Sequence, residues 1–237
     1  MDIRYLSINT TRPPFDDVCV RQTFALALNR RQLTDVVLRT GGTPAYTVIK
    51  ALPGGYEPIA EARRLLADAG YPDGVGFPPV EYLYNTLDRN REMAEALQQI
   101  WRTALNINVS LRNEEWKVFL DTRQHLNYQI ARAGWLPFSA EPLELYELQT
   151  AASGSNETGW IDPAYEEHYA TALRTMDAMA RRRHYAAMDH ILHDQMPVIP
   201  IGHYARARLV HSALIGWPEN HLEGLVWTRL HFSSPTP

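Results

Sequence analysis

An α/β layered domain is the fold this sequence predicts. Segments of alternating apolar character and segments of helical period follow one another along the chain, in the order strand, helix, strand, helix. Gly, Pro and small polar clusters punctuate them, and no low-complexity tract or fixed-period repeat interrupts the pattern.

The first strand reads over 5–8. Pro13-Pro14-Phe15-Asp16-Asp17 is a turn into a helix over 18–28, which Asp16 or Asp17 can cap and which carries Val20, Phe24 and Leu28 on one face. A short helix over 31–38 stops at Gly41-Gly42. Over 58–69 the stripe Ile59, Ala62, Leu65, Leu66, Ala69 is helical and ends at Gly70. A strand over 80–84 precedes a long helix over 88–105, with Met93, Leu97, Ile100, Trp101 and Ala104 facing inward. The clean alternation over 107–111 predicts a half-buried strand, followed by a helix over 116–123 and a strand over 128–133. The small and polar stretch 151–159 is a loop. Helices over 163–175 and 178–195 follow, the second with Tyr185, Met188, Ile191 and Leu192 buried, and strands are expected over 196–201 and 206–210.

The 237 residues suffice for a substantial core, and 45% hydrophobic with 21% charged content is ordinary for a globular chain. A net charge of -4 shows no basic excess, so nucleic acid is a poor partner. No window reaches the roughly 18 consecutive apolar residues of a membrane span, so direct membrane insertion is not expected. Cys19, the single cysteine, excludes an internal disulfide and reads as a small core residue between Val18 and Val20. The opening Met1-Asp2-Ile3-Arg4 lacks the basic start and apolar segment of a signal peptide, and the chain enters directly into a strand, as a fragment of a larger protein would.

The segment richest in chemistry is Asn113 to Arg123 followed by Ala131-Arg132-Ala133-Gly134-Trp135. It sets two tryptophans, Trp116 and Trp135, and two arginines, Arg123 and Arg132, near one helix and one strand end. Such a set suits a carboxylate or carbonyl held against an aromatic wall; it equally suits a salt bridge beside two core aromatics. His190 and His193 stand three apart on a helix without an evident third ligand, so no metal site and no cofactor are expected. Glu114, Glu115 and Asp121 do not form a carboxylate pair, since adjacent side chains point apart and Asp121 balances Arg123 locally. Gly41-Gly42 and Gly54-Gly55 are turns, and His203 is a strand residue rather than a base.

The strings PPFDDVCVRQTFALALNR, EARRLLADAGYPDG, EEWKVFLDTR and ARAGW stand in an order and at spacings that resemble the oligopeptide- and dipeptide-binding proteins of ABC transporters, extracellular solute-binding protein family 5. The resemblance runs from about Tyr5 through Arg208. It implies a periplasmic-binding-protein-like lobe with a mixed sheet flanked by helices: residues 1–204 as the C-terminal ligand-binding lobe, and 205–237 as a return segment that packs on an N-terminal lobe. It further implies a periplasmic or extracellular, non-enzymatic protein that binds a peptide or peptide-like ligand in a cleft and delivers it to a membrane permease. An inter-lobe face left open could pair two copies as a dimer.

The same resemblance assigns ligand contacts to Trp116, Arg123, Arg132, Gly134, Trp135 and Tyr204. Arg123 and Arg132 are expected to serve a ligand carboxylate or cleft ion pairs, and Trp116 and Trp135 to form pocket walls. One position departs. Family members carry an aspartate three residues after the ARAGW tryptophan, where it pairs with the peptide ammonium; here that position is Phe138. Phenylalanine offers at most a cation–π face, worth about 1 kcal/mol, so a blocked or modified peptide is the expected ligand, with Glu141 as the candidate substitute acid. Two rival readings stay open: a stand-alone protein-interaction lobe, and a small hydrolase, for which no nucleophile motif is present.

Overall fold

A computed structural model describes residues 2–39, 41–48, 59–139, 141–205, 209–217 and 227–233. Its centre is a strand with every side chain buried, β1 (Ile3–Ile8). After it come α1 (Val18–Leu26), the single turn α2 (Arg30–Gln32), which widens into a π-helix over Leu33–Leu38, β2 (Thr43–Pro44) and α3 (Ile59–Asp68). Then follow β3 (Val80–Asn85), α4 (Asp88–Leu105), β4 (Val109–Glu114), α5 (Trp116–Gln124) and β5 (Ile130–Trp135). The chain continues through α6 (Leu143–Glu147), α7 (Pro163–Arg174), α8 (Ala178–Gln195) and β6 (Val198–His203), with a separate ribbon of β7 (Leu214–Ile215) and β8 (His231–Phe232).

The main sheet has the order β2-β6-β1-β5-β3-β4. Strands β3, β4 and β5 are parallel, as the helical crossovers α4 and α5 require, whereas β1 runs antiparallel to both β5 and β6. The sheet is therefore mixed.

Alternation along the strands divides the core. Leu6, Ile8, Tyr82 and Ile130 point to one face, where Phe24, Leu66, Leu97 and Trp101 of α1, α3 and α4 cover them. The Trp101 indole N–H donates to the Phe24 carbonyl at 3.1 Å, which pins α4 to α1. Ile3, Tyr5 and Ala133 point the other way, onto Tyr146, Tyr165, Met188 and Leu192 of α6, α7 and α8. Phe119 of α5 covers Leu83 and Ala131 on that second face.

The helix ends follow local chemistry. Asp17 caps α1 by accepting from the Cys19 amide at 2.7 Å, Asp162 caps α7 through the Tyr165 amide at 2.9 Å, and Asp177 caps α8 through the Ala180 amide at 2.7 Å. The bounds of α4 and α8 coincide with those the apolar stripes predict.

Three strands sit about two residues later than expected, for identifiable reasons. Asn106 ends α4 in the left-handed region (φ 59), and the amides of Asn106 and Ile107 return to Arg102 and Trp101, so Ile107 serves the helix end and β4 begins only at Val109. Met196 does the same for α8 (φ 47), delaying β6. β5 runs on to Trp135 because Gly134 pairs with Arg4 of β1. Cys19 corrects the core assignment: it lies half-buried in the first turn of α1, while Val20 turns inward. α6 and β2 are elements that no apolar stripe or alternation in the sequence predicts. Of the strand expected over 206–210, residues 206–208 lie outside the described residues, as do Gly54-Gly55.

A candidate ligand edge at the carboxyl ends of the parallel strands

Because β3, β4 and β5 are parallel, their carboxyl ends open on one edge of the sheet. β1 begins at that edge and β6 ends there, with Ile3 opposite both Trp135 and His203. Ligand sites in open α/β sheets form outside the carboxyl ends of the strands, where loops rather than ladder partners occupy the space. The segments that follow three strands on this edge present large apolar groups to solvent: Leu87 after β3, Trp116 at the start of α5 after β4, and Leu136 with Phe138 after β5.

Trp116 is 51% exposed and stacks on the buried Phe119, with ring centroids 5.8 Å apart. Phe138 is 88% exposed. The Trp135 indole N–H donates to Glu144 at 2.9 Å, and the same carboxylate accepts the amides of Phe138 (3.0 Å) and Ser139 (3.1 Å). Burial opposes ionisation of Glu144, but these donors and the Ser139 hydroxyl outweigh it and hold the carboxyl below its usual range. Glu141 is directed elsewhere. It accepts from the Tyr185 hydroxyl and faces Arg181 at 3.4 Å, so its carboxylate is engaged with α8 rather than with Phe138.

The two arginines separate. Arg132 shares the face of Ile130 and Tyr82, while α5 lays Arg123 over the opposite face, its guanidinium 5.2 Å from the Phe119 ring. Arg123 pairs with Glu157, not with Asp121 as its local charge balance suggested; Asp121 instead lies 3.4 Å from His125. Burial raises the pKa of Glu157, and Arg123 opposes that rise. Glu114 is paired with Arg112. Among the described residues no group of three His, Cys, Asp or Glu could hold a metal, and His190 and His193 are exposed.

Gly134 and Tyr204 meet. A Cβ on Gly134 would fall 3.2 Å from the Tyr204 hydroxyl and 3.0 Å from the Ile3 carbonyl, so glycine leaves the space the tyrosine fills. The Tyr204 amide donates to the Asp2 carbonyl at 3.0 Å, and its ring lies 5.1 Å from the Arg4 guanidinium. Arg4 is not among the expected ligand contacts, and its signal in the sequence is a charge inside the apolar run Ile3-Arg4-Tyr5-Leu6. Glu144 carries no comparable sequence signal.

Comparison with known proteins gives this edge a context. Residues 1–157 match the bacterial extracellular solute-binding proteins, family 5 Middle. The chain is 32% identical over 239 residues to the periplasmic murein peptide-binding protein MppA of Escherichia coli, covering 95% of this chain and 44% of that protein. It is 33% identical over 228 residues to the periplasmic oligopeptide-binding protein OppA of Salmonella typhimurium, covering 90% and 41%. Among solved structures, Haemophilus influenzae OppA in complex with RPPGFSPFR superposes with a TM-score of 0.86 at 28% identity, over 98% of this chain and 48% of that one. The chain thus spans less than half the length of these relatives. With its mixed sheet and its match over residues 1–157, the chain belongs to family 5 of the bacterial extracellular solute-binding proteins.

Proposed function

We propose that this chain is the C-terminal ligand-binding lobe of a peptide-capturing component of an ABC importer, working in the periplasm or at the cell exterior. The observation that carries this reading is the carboxyl edge itself. Exposed aromatic and apolar groups stand just after β3, β4 and β5, with a half-buried guanidinium, Arg132, behind them. The peptide-binding names of the relatives support the same reading.

In this assignment residues 1–204 form the lobe and 205–237 a return segment that packs on the other lobe. Trp116 and Trp135 wall the ligand, Arg132 faces its carboxylate across Gly134 and Tyr204, and Arg123 with Glu157 supplies a cleft ion pair. The protein captures and delivers to a permease without chemistry on the ligand. Alone, the lobe would expose Leu87, Trp116, Leu136 and Phe138 together, and a dimer through that face is the second reading.

Phe138 sets the ligand class. Among the described residues no carboxylate is free to neutralise an ammonium at its side chain, because Glu144 is consumed by the loop and Glu141 by α8. The ligand is therefore a peptide with its amino group blocked or modified. Calorimetry on the full-length protein with paired free and N-acetylated peptides tests this. The acetylated member should bind more tightly, and Phe138→Asp should reverse the order; an unchanged order in the variant sinks the assignment.

A further inference from the structure

Four arginines are buried among the described residues: Arg4, Arg21, Arg30 and Arg123. Three have conventional acceptors. Arg21 donates to the carbonyls of Gln195 and Phe15, both at 2.8 Å; Arg30 donates to the carbonyl of Pro200 at 2.8 Å; Arg123 pairs with Glu157. Arg4, 7% exposed in the central strand, lies against the Tyr204 ring, and among the described residues its Nε and Nη1 are buried without an acceptor.

The surroundings repeat that shortage of acceptors. Arg4 stands opposite Gly134 and Arg132 opposite Leu6, so the two residues are diagonal neighbours on one face of the β1–β5 pair, their Cα atoms about 7–8 Å apart. Nothing projects from Gly134 between them. Nε of Arg132 and the hydroxyl of the fully buried Tyr82, on the same face, are also without partners. Neither arginine ion-pairs with a carboxylate among the described residues. Burial lowers the pKa of Arg132, Tyr204 opposes this, and the charge of Arg4 adds to it, as expected of two cations sharing one site.

We propose that Arg4 acts with Arg132 as a two-cation receptor for a dianionic peptide end, one whose last residue is aspartate or glutamate. The inference rests on the peptide-binding reading and adds to it a residue and a charge preference. A single carboxylate leaves one guanidinium without a counter-charge, which a buried site tolerates poorly. The two carboxylates of a terminal acidic residue are only a few bonds apart and can meet both cations, each through charge-assisted hydrogen bonds. Inorganic phosphate shares the dianionic charge but brings no peptide contacts.

The test uses the full-length protein and two N-acetylated tripeptides, Ala-Ala-Ala and Ala-Ala-Asp, with inorganic phosphate as competitor. The aspartyl peptide should bind about tenfold more tightly, the ratio that one additional charge-assisted contact supplies. Arg4→Gln should bring that ratio to about one, and Arg4→Lys should restore part of it. Without ligand, Arg4→Gln should raise Tm, because it removes an uncompensated buried charge. A lowered Tm, equal affinities in the parent protein, or phosphate binding in preference to either peptide overturns the proposal. If the peptides bind without acid preference, only this inference falls; if neither binds, the peptide-binding reading falls with it.

Discussion

Glu144 holds Trp135 by its indole N–H at 2.9 Å, and its carboxylate also collects the amides of Phe138 and Ser139. One acid from the start of α6 thereby fixes both the aromatic wall and the loop after β5. Glu144→Gln keeps the shape but loses the charge that shortens and strengthens these bonds. It should cost about 1–2 kcal/mol, read as a shift in urea midpoint at pH 7. The sign with pH follows from the lowered folded-state value: the stabilisation is present above the unfolded value of 4.5 and is lost as pH falls from there through the folded value. The stability gap between the parent and the variant should therefore narrow progressively as pH falls below 4.5. A gap that does not narrow on acidification contradicts the role of the charge.

The Arg123–Glu157 pair makes a different prediction. Both side chains are largely buried, at 10% and 18% exposure, so removing one partner strands the other. Arg123→Met should destabilise the chain by about 3 kcal/mol, and adding Glu157→Gln should recover at least half of that. The parent should also lose stability as pH rises from 4.5 through the raised value of Glu157, since the folded state holds that proton more tightly. Glu157→Gln removes this slope. Additive losses in the double mutant cycle would show that the two residues do not act as a pair.

Much of the scaffold was legible because apolar spacing is local. The stripe Met93, Leu97, Trp101, Ala104 specifies α4 whatever it packs on, and Asp17 before Val18 marks the start of α1 from chemistry within one turn. Strand ends were less legible, since Ile107 alternates like a strand residue yet spends its amide on the end of α4. The site was legible only in part. Trp116, Arg132 and Trp135 lie in motifs, whereas the roles of Arg4 and Glu144 depend on partners brought by tertiary structure. Arg4 matters because β1 inserts between β5 and β6, and Glu144 because α6 folds back under Trp135; neither juxtaposition is encoded within a window of neighbouring residues. The pairing of Arg123 with Glu157 rather than Asp121 has the same origin.

Gly134 is a packing requirement rather than a flexible joint. Gly134→Ala places a methyl group 3.0 Å from the Ile3 carbonyl, a backbone atom of the β1–β5 pair opposite Trp135, and 3.2 Å from the Tyr204 hydroxyl. The tyrosine can retreat but the carbonyl cannot. A loss of about 1–3 kcal/mol is expected, and Tyr204→Phe in the same chain should relieve only a minor part of it. Thermal denaturation of the two variants measures this; full rescue by Tyr204→Phe would place the conflict at the hydroxyl alone.

Trp116 separates stability from binding. Its indole is 51% exposed, and its ring partner Phe119 is buried against Leu83 and Ala131. Trp116→Ala should therefore change stability by less than about 1 kcal/mol, as surface substitutions do. An aromatic wall that covers a ligand contributes far more to the complex than to the free protein, because its apolar face is desolvated only when the ligand arrives. Peptide affinity of the full-length protein should fall at least about tenfold, or ~1.4 kcal/mol. Paired measurements of Tm and Kd decide the matter. A large drop in Tm with little change in Kd would assign Trp116 to the scaffold and move the ligand away from the start of α5.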